Sequence, residues 1–307
     1  MTEVPITSIA LIGLGEVGQM LAQEFASRGD LRISAFDIAF VNPDCPQSAA
    51  AKASGVSVAS SAGEAVAGAG LVISAVTASS ALEAAHSVTT HLPTGAFFLD
   101  VNSVAPGTKR DAAAVIEACV GRYVEAAVMA PVHPKRLRTP ILLGGPHATS
   151  FLKVAQALGF DSSVFSARIG EASAVKMCRS VMVKGMEALT LECLLAASRA
   201  GVEEPVLASL KESFPTLDWP KIAEYNLERM ATHGIRRSAE MREVAKTVRE
   251  LGLEPLMANA TAEHQATIGE LRLRDRHQGS LPKGLDALLD AIHWSDPWPD
   301  SPAQAAE

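Results

Sequence analysis

The 307 residues are 48% hydrophobic and 20% charged, which excludes a disordered chain and supplies core for two domains. A formal charge of −7 without any Lys/Arg run disfavours nucleic acid as a partner and leaves a small molecule as the expected ligand. No apolar stretch is long enough to span a bilayer, and no basic region precedes a signal-like core, so a cytoplasmic protein without a membrane partner is expected. Cys45, Cys119, Cys178 and Cys193 lack CxxC or Cys/His spacing. They read as reduced, buried thiols, and no metal site is expected.

The first predicted strand, 9–12, breaks into Gly13-Leu14-Gly15-Glu16-Val17-Gly18 and then into a helical pattern. Gly13 permits the tight turn, Gly15 lets a pyrophosphate approach the backbone, and Gly18 lets the helix pack against the strand. The phosphates would sit on the helix beginning near Glu16, with the free amides and the positive dipole end beneath them. A second strand, 31–36, ends at Asp37, about 20 residues past the glycines, where a carboxylate accepts the ribose hydroxyls of a dinucleotide. A carboxylate there repels a 2′-phosphate and no arginine follows it closely, so NAD is favoured, with NADP as the alternative.

Strands at 56–58, 71–76 and 95–100 alternate with helices at 62–67, 79–90 and 106–118. Such continuous apolar strands imply a mostly parallel sheet covered on both faces. Short strands at 123–129, 140–143 and 163–166 extend it. Val76, Thr77 and Asn102, at the exits of strands 71–76 and 95–100, are candidate cofactor contacts.

Past residue 166 the texture becomes helical. One helix is predicted over 171–200, closed by Gly201, followed by helices at 203–213, 220–231, 236–251, 254–274 and 283–291. The tail Trp294-Ser295-Asp296-Pro297-Trp298-Pro299 cannot continue a helix and is expected to pack across a surface. The fold class is therefore an α/β Rossmann domain over 1–166, doubly wound, followed by an all-α domain for substrate and dimerisation over 167–307.

Nicotinamide chemistry needs a group that moves the hydroxyl proton while hydride leaves carbon. Gly170-Glu171-Ala172-Ser173-Ala174-Val175-Lys176 opens the long helix with small residues, so that its start can lie close to another backbone or the cofactor. Lys176 projects one turn further along. A partly desolvated lysine beside a cofactor cation suits acid and base work near neutral pH.

These features resemble the β-hydroxyacid dehydrogenase family, which includes 3-hydroxyisobutyrate dehydrogenases and is related to 6-phosphogluconate dehydrogenase. Gly13, Gly15 and Gly18 match the family fingerprint, and Asp100-Val101-Asn102-Ser103-Val104-Ala105-Pro106 resembles its Asp-x-Ser-Thr-x-x-Pro segment. Gly170 with Lys176 resembles its Gly-x-Gly-x-x-x-Lys-x-x-Asn-Asn motif, which implies that Lys176 is the catalytic lysine, while the Asp100–Pro106 segment sets Asn102 and Ser103 at the nicotinamide, with Ser103 a candidate substrate contact. The resemblance also implies a homodimer, because helices of this family pack against a mate's.

The departures bear on substrate. Met129, Ala130 and Pro131 stand where the family has Ser-Gly-Gly, and Ser180 replaces an asparagine. Pro131 has no amide hydrogen and Met129 no hydroxyl, which weakens the usual carboxylate cradle. Lys184, two turns beyond Lys176, is a candidate for an anionic substrate group, as is Arg236 in the predicted helix start His233-Gly234-Ile235-Arg236-Arg237, where an ion pair with Glu240 is the competing reading. The expected function is an NAD(P)-dependent oxidoreductase acting on a hydroxy acid or related secondary alcohol. The alternatives are an imine reductase and a dinucleotide-binding protein without catalysis.

Overall fold

The computed structural model describes residues 6–293, so the tail from Trp294 lies outside the described residues. Contacts divide the chain into two units, Met1–Cys178 and Arg179–Glu307.

The first unit is built on eight strands: β1 (Ser8–Ile12), β2 (Arg32–Phe36), β3 (Ser57–Val58), β4 (Leu71–Ser74), β5 (Phe97–Asp100), β6 (Arg122–Val128), β7 (Ile141–Gly144) and β8 (Ser162–Ser166). Among the described residues six α-helices lie wholly within it: α1 (Glu16–Ala26), α2 (Pro46–Ser54), α3 (Ala62–Val66), α4 (Ala81–Ser87), α5 (Pro106–Ala118) and α6 (Ala148–Leu158). The sheet order is β3-β2-β1-β4-β5-β6-β7-β8. Only β6 and β7 pair antiparallel; the other neighbours are parallel, as the continuous apolar strands require.

The two-residue period of the strands divides the core. Ile9, Leu11, Leu71, Ile73, Phe97 and Leu99 pack with Phe25 of α1 and Phe151 of α6. Ala10, Ile12, Val72 and Phe98 point the other way and pack with Val66 of α3, Ala85 of α4 and Ile116 of α5. Helices therefore cover both faces. The chain runs outward through β1, β2 and β3 and then returns to lay β4 on the other side of β1. That reversal opens a crevice at the carboxyl ends of β1 and β4, where such sheets bind ligands.

α7 (Glu171–Ala200) has the bounds expected for the long helix and passes out of the first unit. The described part of the second unit is helical: the rest of α7, α8 (Glu203–Ser213), α9 (Trp219–Glu250), α10 (Leu256–Glu270), α11 (Leu273–Arg276) and α12 (Leu285–His293). Leu191, Leu194, Leu227, Met230, Ile268, Leu288 and Ile292 form its apolar core.

Helices α2 and α6 are not among those expected from the sequence, and in the second unit the expected breaks fall elsewhere. The helices expected at 220–231 and 236–251 are one, α9, so His233 and Arg236 lie mid-helix. Gly234 reads as a break in sequence but is a contact: a Cβ there would lie 2.3 Å from the Gln265 carbonyl of α10. Gly269 faces it with equally little room, a Cβ meeting the Ile235 amide at 2.5 Å, so the two backbones touch. The helix expected over 254–274 stops at Glu270 and restarts as α11, because Arg272 takes a left-handed conformation with φ of 49°.

The cysteines also differ from the expectation. Cys45 is buried and Cys119 half-buried, whereas Cys178 and Cys193 are exposed, and all four are free. Among the described residues no helix is long and apolar enough to cross a membrane, and no group of three His, Cys, Asp or Glu is placed to hold a metal ion.

Candidate functional site

The glycine turn between β1 and α1 separates three roles. Gly13 has φ of 93°, and a Cβ there would meet the Ala75 carbonyl oxygen at 2.5 Å. Gly18 is closed by packing, since its Cβ would lie 2.1 Å from the Gly13 oxygen. At Gly15 an added Cβ would meet nothing within 4 Å. Gly13 and Gly18 thus satisfy the protein's own backbone, while Gly15 keeps an open face. No side chain caps α1 at Gly15, and Glu16 is exposed on the first turn. A pyrophosphate fits there on backbone amides and the helix dipole. Val17 turns inward and packs on the core.

Asp37 ends β2 as expected, but its carboxylate also serves the protein. Oδ2 accepts the Leu14 amide at 2.6 Å and Oδ1 accepts the Ala39 amide at 2.9 Å. The acid therefore braces the glycine turn across 23 residues of sequence. A carboxylate has about four acceptor sites, so capacity for ribose hydroxyls remains.

Beyond β4 and β5 a buried network fixes the next wall of the crevice. The Asn102 Oδ1 accepts the Val76 amide at 2.7 Å, and its Nδ2 donates to Ser74 Oγ at 2.9 Å. Asp100 Oδ1 accepts the Asn102 amide and the Lys109 ammonium, both at 2.9 Å. Tyr123 donates its hydroxyl to Oδ2 at 2.7 Å. Desolvation first, and then the charge of Asp100, push the Tyr123 phenol well above its usual pKa, so it remains a donor. Thr77 Oγ1 lies 3.2 Å from Ser79 Oγ and 3.1 Å from Ser80 Oγ. Lys109 and Tyr123 carry no motif, and only their burial against Asp100 reveals them.

At the start of α7, half-buried Lys176 donates from Nζ to Ser103 Oγ at 2.6 Å. Ser103 lies in the loop between β5 and α5, at the carboxyl end of the sheet. Glu125 of β6 is fully buried and accepts the Gly170 amide at 2.6 Å and the Ser173 amide at 2.5 Å. Met129 and Ala130 follow β6 half-buried, with the Met129 amide donating to the Pro140 carbonyl at 2.9 Å, and Pro131 is exposed. The first unit therefore gathers the glycine turn, Asp37, Val76, Asn102, Ser103 and Lys176 on the strand exits.

In the second unit, Ser180 is buried and Lys184 is 5% exposed. The Lys184 ammonium lies 2.8 Å from Glu240 Oε2, and Arg236 pairs with the other oxygen at 3.3 Å. Burial lowers the Lys184 pKa, and Glu240 partly opposes that shift. Beside them Arg237 binds Glu187, whose Oε2 also accepts from Gln265 Nε2 at 2.8 Å. Lys184 and Arg236 are thus brought together on one carboxylate, Glu240. Glu187 and Gln265 are invisible as partners in sequence, lying 50 and 78 residues from the groups they meet.

The NAD binding domain of 6-phosphogluconate dehydrogenase matches residues 8–162, and a domain of unknown function (DUF1932) matches residues 197–268. A conserved hypothetical protein from Sinorhizobium meliloti 1021 is 38% identical, over 94% of this chain and 97% of that one, with a TM-score of 0.71. A conserved protein of unknown function, described as structurally similar to 3-hydroxyacid dehydrogenases, is 32% identical over 89% of this chain and 99% of its own, with a TM-score of 0.64. The 3-hydroxyisobutyrate dehydrogenase of Mycobacterium tuberculosis shares the fold at 17% identity over 94% of this chain and 99% of its own, with a TM-score of 0.66. The strand order, the glycine turn and these matches agree: the chain belongs to the family of the NAD binding domain of 6-phosphogluconate dehydrogenase, which its residues 8–162 match, and it has the fold of the 3-hydroxyacid dehydrogenases.

Proposed function

We propose that this protein is an NAD(P)-dependent oxidoreductase that interconverts a hydroxy acid, or a related secondary alcohol, and the corresponding carbonyl compound. The observation that carries the reading is the 2.6 Å contact of Lys176 Nζ with Ser103 Oγ at the carboxyl end of the sheet. An amine and a hydroxyl meeting where doubly wound sheets bind their ligands support proton transfer there.

A bound dinucleotide supplies hydride exchange at its nicotinamide. Gly15 and the first turn of α1 would hold its pyrophosphate, Asp37 its ribose, and Val76, Thr77 and Asn102 the wall beyond. Lys176 accepts the substrate hydroxyl proton during oxidation and returns it to the carbonyl oxygen during reduction. Ser103 holds the ammonium when the lysine is protonated. The negative charge of Asp37 supports NAD over NADP, since a 2′-phosphate there would face a carboxylate.

On the substrate side the reading assigns Met129, Ala130, Pro131, Ser180, Lys184 and Arg236. Lys184 and Arg236 meet at Glu240, and the two cations gathered there support an anionic substrate group. A homodimer belongs to the same proposal, supported by exposed Met182, Met186 and Leu189 along one face of α7. Sedimentation at micromolar concentration tests it.

The decisive experiment is a screen of hydroxy acids and cyclic imines with NAD(H) and NADP(H), followed at the reduced nicotinamide absorbance. Hydroxy-acid turnover that falls by about 10²- to 10⁴-fold in Lys176→Ala is the expected result. Turnover of imines alone would replace this reading with C=N reduction, and cofactor binding without any turnover would replace it with a binding protein.

A further inference from the structure

Glu125 is a buried carboxylate for which neither the glycine turn nor the Lys176–Ser103 contact has any use. Burying such a group is costly unless its oxygens are satisfied. Here both are: Oε2 accepts the amide of Gly170 at 2.6 Å and Oε1 that of Ser173 at 2.5 Å. Gly170 immediately precedes α7, and Ser173 is the third residue of that helix. These two amides are the ones a capping box satisfies with side chains of the helix itself, a hydroxyl at the cap and a carboxyl or amide group three residues on.

α7 cannot build that box. Gly170 has φ of 97°, a conformation that favours glycine, and a Cβ there would meet Pro106 Cβ at 3.0 Å and Arg110 Nη1 at 2.8 Å. The position therefore has no capping side chain to offer. Ser173 has no carboxyl group to reach back with. A single carboxylate from β6 replaces both halves of the box. Its fit depends on Gly144, the residue paired with Glu125 on β7, where a Cβ would lie 2.6 Å from Oε2.

Lys176 is three residues beyond Ser173, on the next turn of the same helix. Whatever fixes the Ser173 amide fixes the point from which the lysine reaches Ser103. We propose that Glu125 is the positioning residue of the Lys176 turn, acting through the Gly170 and Ser173 amides and touching neither substrate nor cofactor. The proposal rests on the reading of Lys176 as the proton-transfer group.

In Glu125→Gln the amide group offers hydrogens to one of the two backbone N–H groups, so half of the cap becomes repulsive. Turnover number is expected to fall about 100-fold, the usual cost of misplacing a reacting group by about an ångström, with KM and cofactor affinity unchanged. The ¹³Cε resonance of Lys176, assigned by its loss in Lys176→Arg, should move, as should the Ser173 amide proton. Glu125→Asp, which keeps the carboxylate, should recover part of both effects. Gly144→Ala crowds Oε2 while leaving Glu125 in place, and should move the same resonances if Glu125→Gln fails to fold. A merely structural role would lower stability without separating turnover number from KM. Folded variants whose Lys176 resonance and turnover match the parent protein would overturn the proposal, even if Lys176→Ala is inactive. Conversely, an active Lys176→Ala with shifted resonances in Glu125→Gln would refute the catalytic reading and leave the positioning intact.

Discussion

In the first unit Asp37, Asp100 and Glu125 all accept backbone amides: Asp37 takes those of Leu14 and Ala39, Asp100 that of Asn102 beside the Lys109 ammonium and the Tyr123 hydroxyl, and Glu125 those of Gly170 and Ser173. In the second unit Glu187 and Glu240 hold side chains: Glu187 takes Arg237 and Gln265, and Glu240 takes Lys184 and Arg236. The difference follows from how each unit satisfies its peptide groups. Long helices pair their own amides internally, so acids between them are left for cations. A doubly wound sheet ends every strand in a turn whose amides need acceptors, and those turns are also the ligand site. These carboxylates of the first unit therefore set backbone geometry at the strand exits and at the start of α7. Those in the second set packing and charge.

The largest expected consequence is the loss of Lys109, whose ammonium is fully buried against Asp100. Lys109→Met leaves that carboxylate without its cation and should destabilise the protein by about 3–5 kcal/mol in urea titrations. Because Asp100 orients Asn102, and Asn102 holds the Val76 amide, cofactor affinity should weaken as well. Arg237→Met breaks the counterpart pair in the second unit, at a cost of about 3 kcal/mol. Its cofactor affinity, measured by calorimetry, should not change, and a matching loss would erase the contrast between the units.

A smaller effect is expected at Asp37. Asp37→Asn removes the charge that opposes a 2′-phosphate and should shift the NADP-to-NAD affinity ratio about tenfold toward NADP, or about 1.4 kcal/mol. An unchanged ratio would mean that Asp37 serves the glycine turn alone.

The smallest effect is a pH slope. Burial puts the pKa of folded Lys184 below the unfolded value of about 10.4. Between those two values the unfolded chain holds a proton that the folded chain lacks, so this lysine makes stability rise with pH across the window. Lys184→Met should flatten that rise in denaturation curves collected from neutral to alkaline pH.

Local pattern carried much of this architecture. The glycine spacing marked the turn after β1, continuous apolar runs marked the parallel strands, and an uninterrupted helix-forming stretch closed by Gly201 marked α7 with its observed bounds. Gly234 misled because a glycine that ends a helix and one that lets two helices touch look alike until the partner, Gly269, is placed. The site divided in the same way. Lys176 and Ser103 belong to motifs, and their meeting could be expected. Lys109 and Tyr123 do not, and Glu125, though it opens the segment set against the family's substrate loop, shows no role in sequence, since all three depend on what β6 and α5 bring beside Asp100 and the start of α7.

Single-turnover oxidation of a substrate identified in the screen, measured with saturating NAD in the parent protein and in Lys176→Ala, addresses the central claim most directly. The account predicts unchanged NAD affinity with a hydride-transfer rate lower by at least about 100-fold in the variant. A variant that binds NAD and transfers hydride at the parent rate would contradict it.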